Sequence, residues 1–159
     1  MFLINIITVG GEKEEYFSAA SAEYRKRLSR DCKLSCVELK AEKLSPSPSE
    51  KEISSALEKE AERVLPLLSK GFNVALCVEG KQLSTEKFSL LLEKAAAENR
   101  MPVNFVIGSS FGLSERVKAA CGLRLSLSEM TFAHRLASVM LHEQIYRAVN
   151  MINGGKYNK

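Results

Sequence analysis

Three segments of this chain are apolar almost throughout rather than at every second position: Phe2–Val9, Phe72–Val78 and Val103–Ile107. A strand that is covered on one face alternates between apolar and polar residues, whereas a strand covered on both faces is apolar along its length. These runs therefore predict a mainly parallel β-sheet with helices on both faces, which is the α/β class.

Helical patterns separate the apolar runs. Helices are predicted over Glu12–Arg30, from a capping box at Ser49 to Leu68, from Ser84 to about Asn99, over Ser114–Cys121 and from His134 to about Ile152. Lys33–Lys40 and Leu123–Leu127 supply two more strands, and Gly10-Gly11 and Glu79–Lys81 are expected to be turns. The tail from Asn153 to Lys159 shows no core signal.

The 159 residues are expected to form a single domain, 1–159, because they contain no internal repeat and no linker. No apolar run approaches the roughly 20 residues that a membrane span needs. The apolar start, Met1–Val9, has no basic residue ahead of it, which favours a first strand over a signal peptide. We therefore expect a cytoplasmic protein without a membrane partner.

The four cysteines form no C-x-x-C pair, and the chain has two histidines, so a zinc site is hard to assemble. They are Cys32, Cys36, Cys77 and Cys121, and they are interpreted as reduced thiols. His134 and His142 are eight residues apart, about 80° around a helix, and do not form an i, i+4 metal pair. Asp31 is the one aspartate, which argues against a Ser/His/Asp triad.

The excess positive charge lies in the C-terminal part of the chain. Residues 100–159 contain eight lysines and arginines against three glutamates, while residues 1–99 are nearly balanced. Such asymmetry is typical of a polyanionic partner, and equally of a solvated basic surface.

Ligands of open α/β sheets bind at the carboxyl ends of the strands. Three such ends stand out here: Leu76–Gly80, Gly108–Gly112 and Leu127–Phe132. The Gly-x-x-x-Gly spacing is neither a Walker loop nor a dinucleotide fingerprint, and two turn glycines explain it equally well. The residues alone thus lead to an α/β domain with glycine-marked strand ends and no defined reaction.

The order of the segments resembles the RlmH family of small SPOUT-type rRNA methyltransferases over essentially the full length. The matching pieces are Ile7–Gly10, Glu23-Tyr24 with Arg27-Leu28, Leu76 with Gly80-Lys81, Phe105–Gly108 with Gly112-Leu113, Leu125–Ser128 with Met130–Phe132 and His134, Glu143-Gln144 with Tyr146–Ala148, and Tyr157 with Lys159. The resemblance implies methylation of N3 of a pseudouridine in 23S rRNA of the assembled ribosome. It also implies S-adenosyl-L-methionine as cofactor, a homodimer and a C-terminal trefoil knot.

Carried over by position, the resemblance implies a cofactor site made from three loops. Its residues would be Leu76, Gly108, Leu127, Ser128, Glu129, Met130, Thr131 and Phe132. No metal is implied, because a sulfonium methyl group is already activated. His134 and Arg147 are expected near the base, with Tyr157 stacking or hydrogen-bonding in a tail that orders on substrate. The residues alone favour Arg147 and Tyr157 as ordinary surface groups.

The chain departs from the family at three positions. Ser109 stands where the family has a second glycine, Ala133 where it usually has proline, and Asn158 where its tail commonly has histidine. If that histidine handles the N3 proton, Asn158 cannot replace it. Two alternatives stay open: a SPOUT methyltransferase acting on tRNA, and a non-catalytic ribosome-binding module.

Overall fold

The structure is a computed structural model that describes residues 1–11 and 14–157. Within these residues, five strands alternate with five α-helices, and one 3₁₀ turn follows the second helix. They are β1 (Phe2–Val9), α1 (Glu15–Leu28), β2 (Cys32–Leu39), α2 (Glu50–Val64), the 3₁₀ turn (Leu65–Leu68), β3 (Phe72–Gln82), α3 (Thr85–Ala97), β4 (Val103–Ile107), α4 (Glu115–Ala119), β5 (Leu123–Ser126) and α5 (His134–Ile152).

The five strands form one sheet in the order β2-β1-β4-β3-β5, and all four pairings are parallel. The predicted α/β class is therefore confirmed, and the sheet is wholly rather than mainly parallel. Because every strand points the same way, their carboxyl ends share one edge. The trefoil knot stays a prediction.

Helices cover both faces of the sheet, as the apolar strands predicted. On one face, α1, α3 and α5 contribute Leu28, Leu92 and Leu141 to a core that contains Phe105. On the other face, α2 and α4 contribute Ala61 and Val117 to a smaller cluster around Val106. The strand β4 is buried at all five positions because it lies between these two layers.

Two predicted boundaries are wrong. The α-helix expected to reach Leu68 ends at Val64, because Pro66 has no N–H to donate and the chain tightens into the 3₁₀ turn. The turn expected at Glu79–Lys81 is part of β3, where a register shift lets both Leu76 and Lys81 pair with Leu125. This irregularity pushes the intervening residues out of the ladder.

A row of three asparagine side chains crosses the sheet at the amino ends of its strands. Asn5 pairs with Asn104 in the β1–β4 register, and Asn104 pairs with Asn73 in the β3–β4 register. Asn104 is 1% exposed, accepts from Asn5 Nδ2 and donates from its own Nδ2 to Asn73 Oδ1 and to Lys70 O, each at 2.8 Å. The row fixes the register, because a slip by one residue would leave buried amides unpaired.

Asn104→Ala is expected to lower the free energy of unfolding by about 3 kcal/mol, because it leaves several buried polar groups without a partner. Asn5→Ala removes a single hydrogen bond of the row and should cost about 1 kcal/mol. Denaturant unfolding of both variants measures the difference. Equal stabilities would show that the row does not hold the register.

Candidate functional site

A cavity of about 280 Å³ opens at the carboxyl edge of the sheet. Its walls come from the end of β3, the loop after β4, the start of α4, the loop after β5 and the start of α5. It is lined by Leu76, Cys77, Val78, Glu79, Ile107, Gly108, Ser109, Ser110, Phe111, Gly112, Leu113, Lys118, Leu125, Leu127, Ser128, Met130, Thr131, Phe132, His134 and Ala137. The three strand ends singled out from the sequence thus meet around one space.

Most residues that the resemblance placed at the cofactor line this cavity. They are Leu76, Gly108, Leu127, Ser128, Met130, Thr131 and Phe132, whereas Glu129 is exposed and is not part of the lining. Two hydrogen bonds shape the loop after β5: Ser126 Oγ donates to Ser128 O at 2.9 Å, and Met130 N donates to Ser128 Oγ at 3.1 Å. That these residues bind a cofactor stays a prediction.

The loop after β4 is a tight turn built on two glycines. Gly112 has a φ of 82° and its N–H donates to Ser109 O at 2.8 Å. A Cβ on Gly108 would lie 2.2 Å from Gly112 O, so no side chain fits there without moving the turn. We name residues 108–112 the glycine turn. The absence of a side chain at Gly108 therefore lets the turn close on itself, and the closed turn forms one wall of the cavity.

The irregular part of β3 places a charged pair at the cavity. Glu79 and Lys118 both line it and form an ion pair, and the Lys118 side chain is 14% exposed. The hydrogen bond from Lys118 lowers the pKa of Glu79. Sequence reasoning missed both residues, because it read residues 79–81 as a turn and assigned no role to Lys118. Gly80 permits the irregularity, since a Cβ there would meet the Arg124 backbone at 2.7 Å.

His134 opens α5 and faces the cavity. Its pKa is lowered mainly by burial, and further by the neighbouring Arg135 charge, while Glu14 acts in the opposite direction. Arg135 is held by Glu14 through two hydrogen bonds of 2.6 and 2.7 Å. Within the described residues, the buried His134 Nε2 has no hydrogen-bond partner. A neutral imidazole with an unused nitrogen can accept a proton from a ligand.

Arg147 and Tyr157 lie far from His134 in the same chain. The thirteen residues of α5 between His134 and Arg147 correspond to about 20 Å along the helix axis. Arg147 donates to Glu143 from Nε at 3.0 Å and from Nη2 at 2.6 Å. One chain therefore does not bring the three candidate catalytic residues together.

The tail after α5 packs on that helix as far as Tyr157, while its ordering on substrate stays a prediction. Asn150 accepts two hydrogen bonds from the tail. The Gly155 N–H donates to its backbone carbonyl at 2.8 Å, and the Tyr157 N–H donates to its Oδ1 at 3.0 Å. The centres of the Tyr157 and Tyr146 rings lie 4.7 Å apart, and the Arg147 guanidinium lies 4.6 Å from the centre of the Tyr157 ring. These contacts link the tail, up to Tyr157, to α5. Asn158, the family departure, lies outside the described residues.

Sequence reasoning also missed Glu60, a glutamate on α2 that is 5% exposed. Its Oε2 accepts from Ser109 Oγ and its Oε1 accepts from Glu42 N, both at 3.0 Å. A signal existed, since Ala56, Glu60 and Val64 follow the four-residue spacing of one buried helix face. A charged residue in the middle of such a face needs specific partners.

Both histidines should make the folded protein less stable as the pH falls. His142 is 1% exposed, burial lowers its pKa, and its Nδ1 donates to Ser138 O at 2.8 Å. In the unfolded chain the histidines have the ordinary pKa of about 6.5, so they bind a proton more tightly there than in the folded protein. The stabilisation by the neutral buried histidines is therefore complete above about pH 6.5 and is lost as the pH falls towards their lower folded pKa values. Each unit between folded and unfolded pKa corresponds to about 1.4 kcal/mol.

Denaturant unfolding at pH 7.5, 6.5 and 5.5 measures this loss, and His142→Asn, which keeps an N–H for Ser138 O, should flatten the dependence. A wild-type protein that is equally stable at pH 5.5 and 7.5 would contradict the assignment of neutral buried histidines.

None of the helices within residues 1–11 and 14–157 combines the length and the apolar character that crossing a membrane requires. This part of the chain also contains no group of three or more His, Cys, Asp or Glu side chains able to hold a metal ion. The four cysteines are free thiols; Cys32 is buried, whereas Cys36 is exposed and so does not serve as a core residue.

Known proteins match this chain along nearly its whole length. A family model described as "Predicted SPOUT methyltransferase" matches residues 2–158. The chain is 43% identical over 157 residues to ribosomal RNA large subunit methyltransferase H of Clostridium botulinum (strain Kyoto / Type A2), covering 98% of this chain and 99% of that protein. It is 43% identical over 158 residues to the protein of the same name from Caldicellulosiruptor bescii, covering 99% and 100%.

Among solved structures, a methylase family protein from Neisseria gonorrhoeae superimposes with a TM-score of 0.52 at 14% identity, over 90% of this chain and 81% of that one. At this identity the likeness concerns the fold.

Proposed function

This chain belongs to the SPOUT methyltransferase family, and from that premise we propose that it methylates ribosomal RNA of the large subunit with S-adenosyl-L-methionine. The specific reaction we propose is methylation of N3 of a pseudouridine in 23S rRNA of the assembled ribosome, in the cytoplasm. Residues 1–159 would act as one catalytic domain. The observation that carries the proposal is the cavity at the carboxyl edge, where three separate strand ends converge.

The cavity suits an adenosyl cofactor. Its lining is largely apolar, and the glycine turn, which closes because Gly108 has no Cβ, contributes backbone groups to one wall. Apolar pockets with a few placed polar groups are typical of cofactor sites. Leu76, Gly108 and the lining residues of the segment 127–132 would hold the cofactor, which when bound supplies an activated methyl group.

The chain itself must position the base and remove the proton from N3. Alignment of the reacting atoms accounts for much of the rate of such a transfer. We assign the removal of the N3 proton to His134, which lines the cavity and whose lowered pKa favours the neutral imidazole that can act as a base. Arg147 would stabilise the negative charge that develops on the base.

We propose a homodimer, because one chain keeps Arg147 and Tyr157 about 20 Å from His134. Leu136, Val139 and Met140 form a partly exposed apolar set on α5. Two copies packed through these residues, with their α5 helices antiparallel, would bring the tail of one chain towards the cavity of the other. Light scattering should show a dimer at micromolar concentration; a monomer would contradict this arrangement.

The RNA partner is supported by charge. Residues 100–159 contain the excess of lysine and arginine and also carry the C-terminal tail. Cationic side chains bind the phosphate backbone and release counterions, so binding to ribosomes should weaken steeply with salt.

Mass spectrometry of 23S rRNA tests the proposed reaction. A strain lacking this gene should lose one methyl group from a single pseudouridine, and the wild-type gene should restore it, whereas a Gly108→Ala copy should not. Undiminished methylation in the deletion strain would contradict the proposal. Calorimetry with S-adenosyl-L-methionine tests the cofactor separately.

A further inference from the structure

Glu60 is a buried acidic residue that the reaction proposed above does not use. It lies on the α2 face that packs against the sheet, between Ala56 and Val64. Removing a carboxyl group from water costs free energy unless its oxygens are hydrogen-bonded. Both oxygens have a partner here, Ser109 Oγ and Glu42 N, each at 3.0 Å. The hydrogen bonds join α2 to the glycine turn and to the segment after β2.

On the side that faces α2, little besides the hydrogen bond to Glu60 holds the glycine turn in place. Behind residues 109–111 lies a second cavity of about 200 Å³, lined by α2 and the segment after β2. The glycine turn therefore separates the two cavities and has open space on both sides. Among the described residues, the bond from Ser109 to Glu60 is the one side-chain hydrogen bond that this turn makes.

The segment after β2, which contains the second partner of Glu60, Glu42, is also held in place. Arg63 lies three residues after Glu60 on α2. Its guanidinium forms an ion pair with the Glu42 carboxylate and donates a hydrogen bond to Lys40 O at 2.7 Å. The segment that meets Glu60 Oε1 is thus tied to the same helix twice. Glu60 is held in one orientation by Glu42 N, with its second oxygen directed at the turn.

We propose that Glu60 is a positioning residue for the cofactor cavity: through Ser109 it holds the glycine turn in the conformation that binds S-adenosyl-L-methionine. This inference rests on the proposed function. A binding wall that is fixed before the ligand arrives costs less ordering on binding. Ser109, which replaces a glycine expected from the family resemblance, supplies the side chain through which Glu60 acts in this chain.

Three variants test the role by calorimetry with S-adenosyl-L-methionine. Ser109→Ala and Glu60→Leu should each weaken binding about tenfold, equivalent to about 1.4 kcal/mol. Glu60→Gln should stay within about threefold of wild type, because its oxygen can accept from Glu42 N and its amide can donate to Ser109 Oγ. Amide hydrogen exchange at residues 109–112 should speed up in the first two variants only.

Ser89→Ala is the matched control. Ser89 is a buried serine whose Oγ donates to Ala148 O at 3.3 Å between α3 and α5, away from the cavity. Its loss should lower the melting temperature about as much as Ser109→Ala does while leaving cofactor affinity at the wild-type value. A purely structural role for Glu60 would give this same pattern.

The outcomes separate the two proposals. If wild type binds the cofactor and Ser109→Ala and Glu60→Leu bind it equally well, the positioning role is wrong and the proposed function stands. If wild type neither binds the cofactor nor methylates ribosomes, the proposed function fails and the positioning role falls with it. Should Glu60→Leu not fold, Ser109→Ala decides, because it removes one hydroxyl from a partly exposed residue.

Discussion

Gly108→Ala is expected to weaken S-adenosyl-L-methionine binding about a hundredfold, equivalent to about 2.7 kcal/mol. A Cβ at this position would lie 2.2 Å from Gly112 O and 2.4 Å from Gly112 C. Both are backbone atoms, so the glycine turn has to shift and one wall of the cavity shifts with it. Gly108→Val adds two more carbons and should abolish binding. Calorimetry measures the affinity, and thermal unfolding shows that the variants remain folded.

Gly122→Ala is the control for this substitution. A Cβ on Gly122 would approach the Phe72 ring to 2.8 Å, so this substitution also crowds its neighbours, but in the core and not at the cavity. Gly122 is not part of the cavity lining, so affinity should stay within about twofold, which is about 0.4 kcal/mol. Near-normal binding by Gly108→Ala would remove the glycine turn from the cofactor site.

Deleting residues 153–159 is expected to lower methylation of ribosomes about a hundredfold, a loss of about 2.7 kcal/mol in transition-state stabilisation. Tyr157 can stack on a base, worth about 1–3 kcal/mol, and Lys156 can contact phosphate. The tail packs on the end of α5 rather than at the cavity, so cofactor affinity should change only a few-fold. Single-turnover methylation and calorimetry separate the two effects.

Point variants identify which tail residue accounts for the loss of activity on deletion. Tyr157→Phe keeps the ring against Tyr146 and should retain most activity, whereas Tyr157→Ala should lose most of what the deletion loses. Asn158→His, which restores the family's histidine, should not reduce activity. A truncated protein that methylates ribosomes at the full-length rate would show that the active site lies within residues 1–152.

The fold was predictable because its signals are local. The apolar strands, the capping box at Ser49 and the helix His134–Ile152 follow from residue spacing, and the structure confirms all three. The strand order was not predictable, because it depends on pairings between distant segments. The extension of β3 was missed for a similar reason: it pairs with Leu125, and the sequence around Gly80 looks like an ordinary turn.

The site was predictable only where backbone forms it. Gly108 and the loop after β5 were identified from strand ends and from the family resemblance, and they line the cavity. Glu60 and Lys118 were missed because their partners, Ser109 and Glu79, lie 49 and 39 positions away along the chain. No periodicity reports such contacts. His134 and Arg147 were both expected near the base, although thirteen residues of one helix separate them by about 20 Å.

The central place of β4 affects how the newly made chain folds during translation. Within the described sheet, β4 alone joins the β2–β1 half to the β3–β5 half, and it pairs Ile4 with Val103. At about 5–20 residues per second, roughly 3 to 13 seconds pass between synthesis of Leu39 and of Val103. Throughout that interval β1 has one edge unpaired and its apolar faces incompletely covered. The nascent chain should therefore be a client of ribosome-associated chaperones until residues 103–107 emerge.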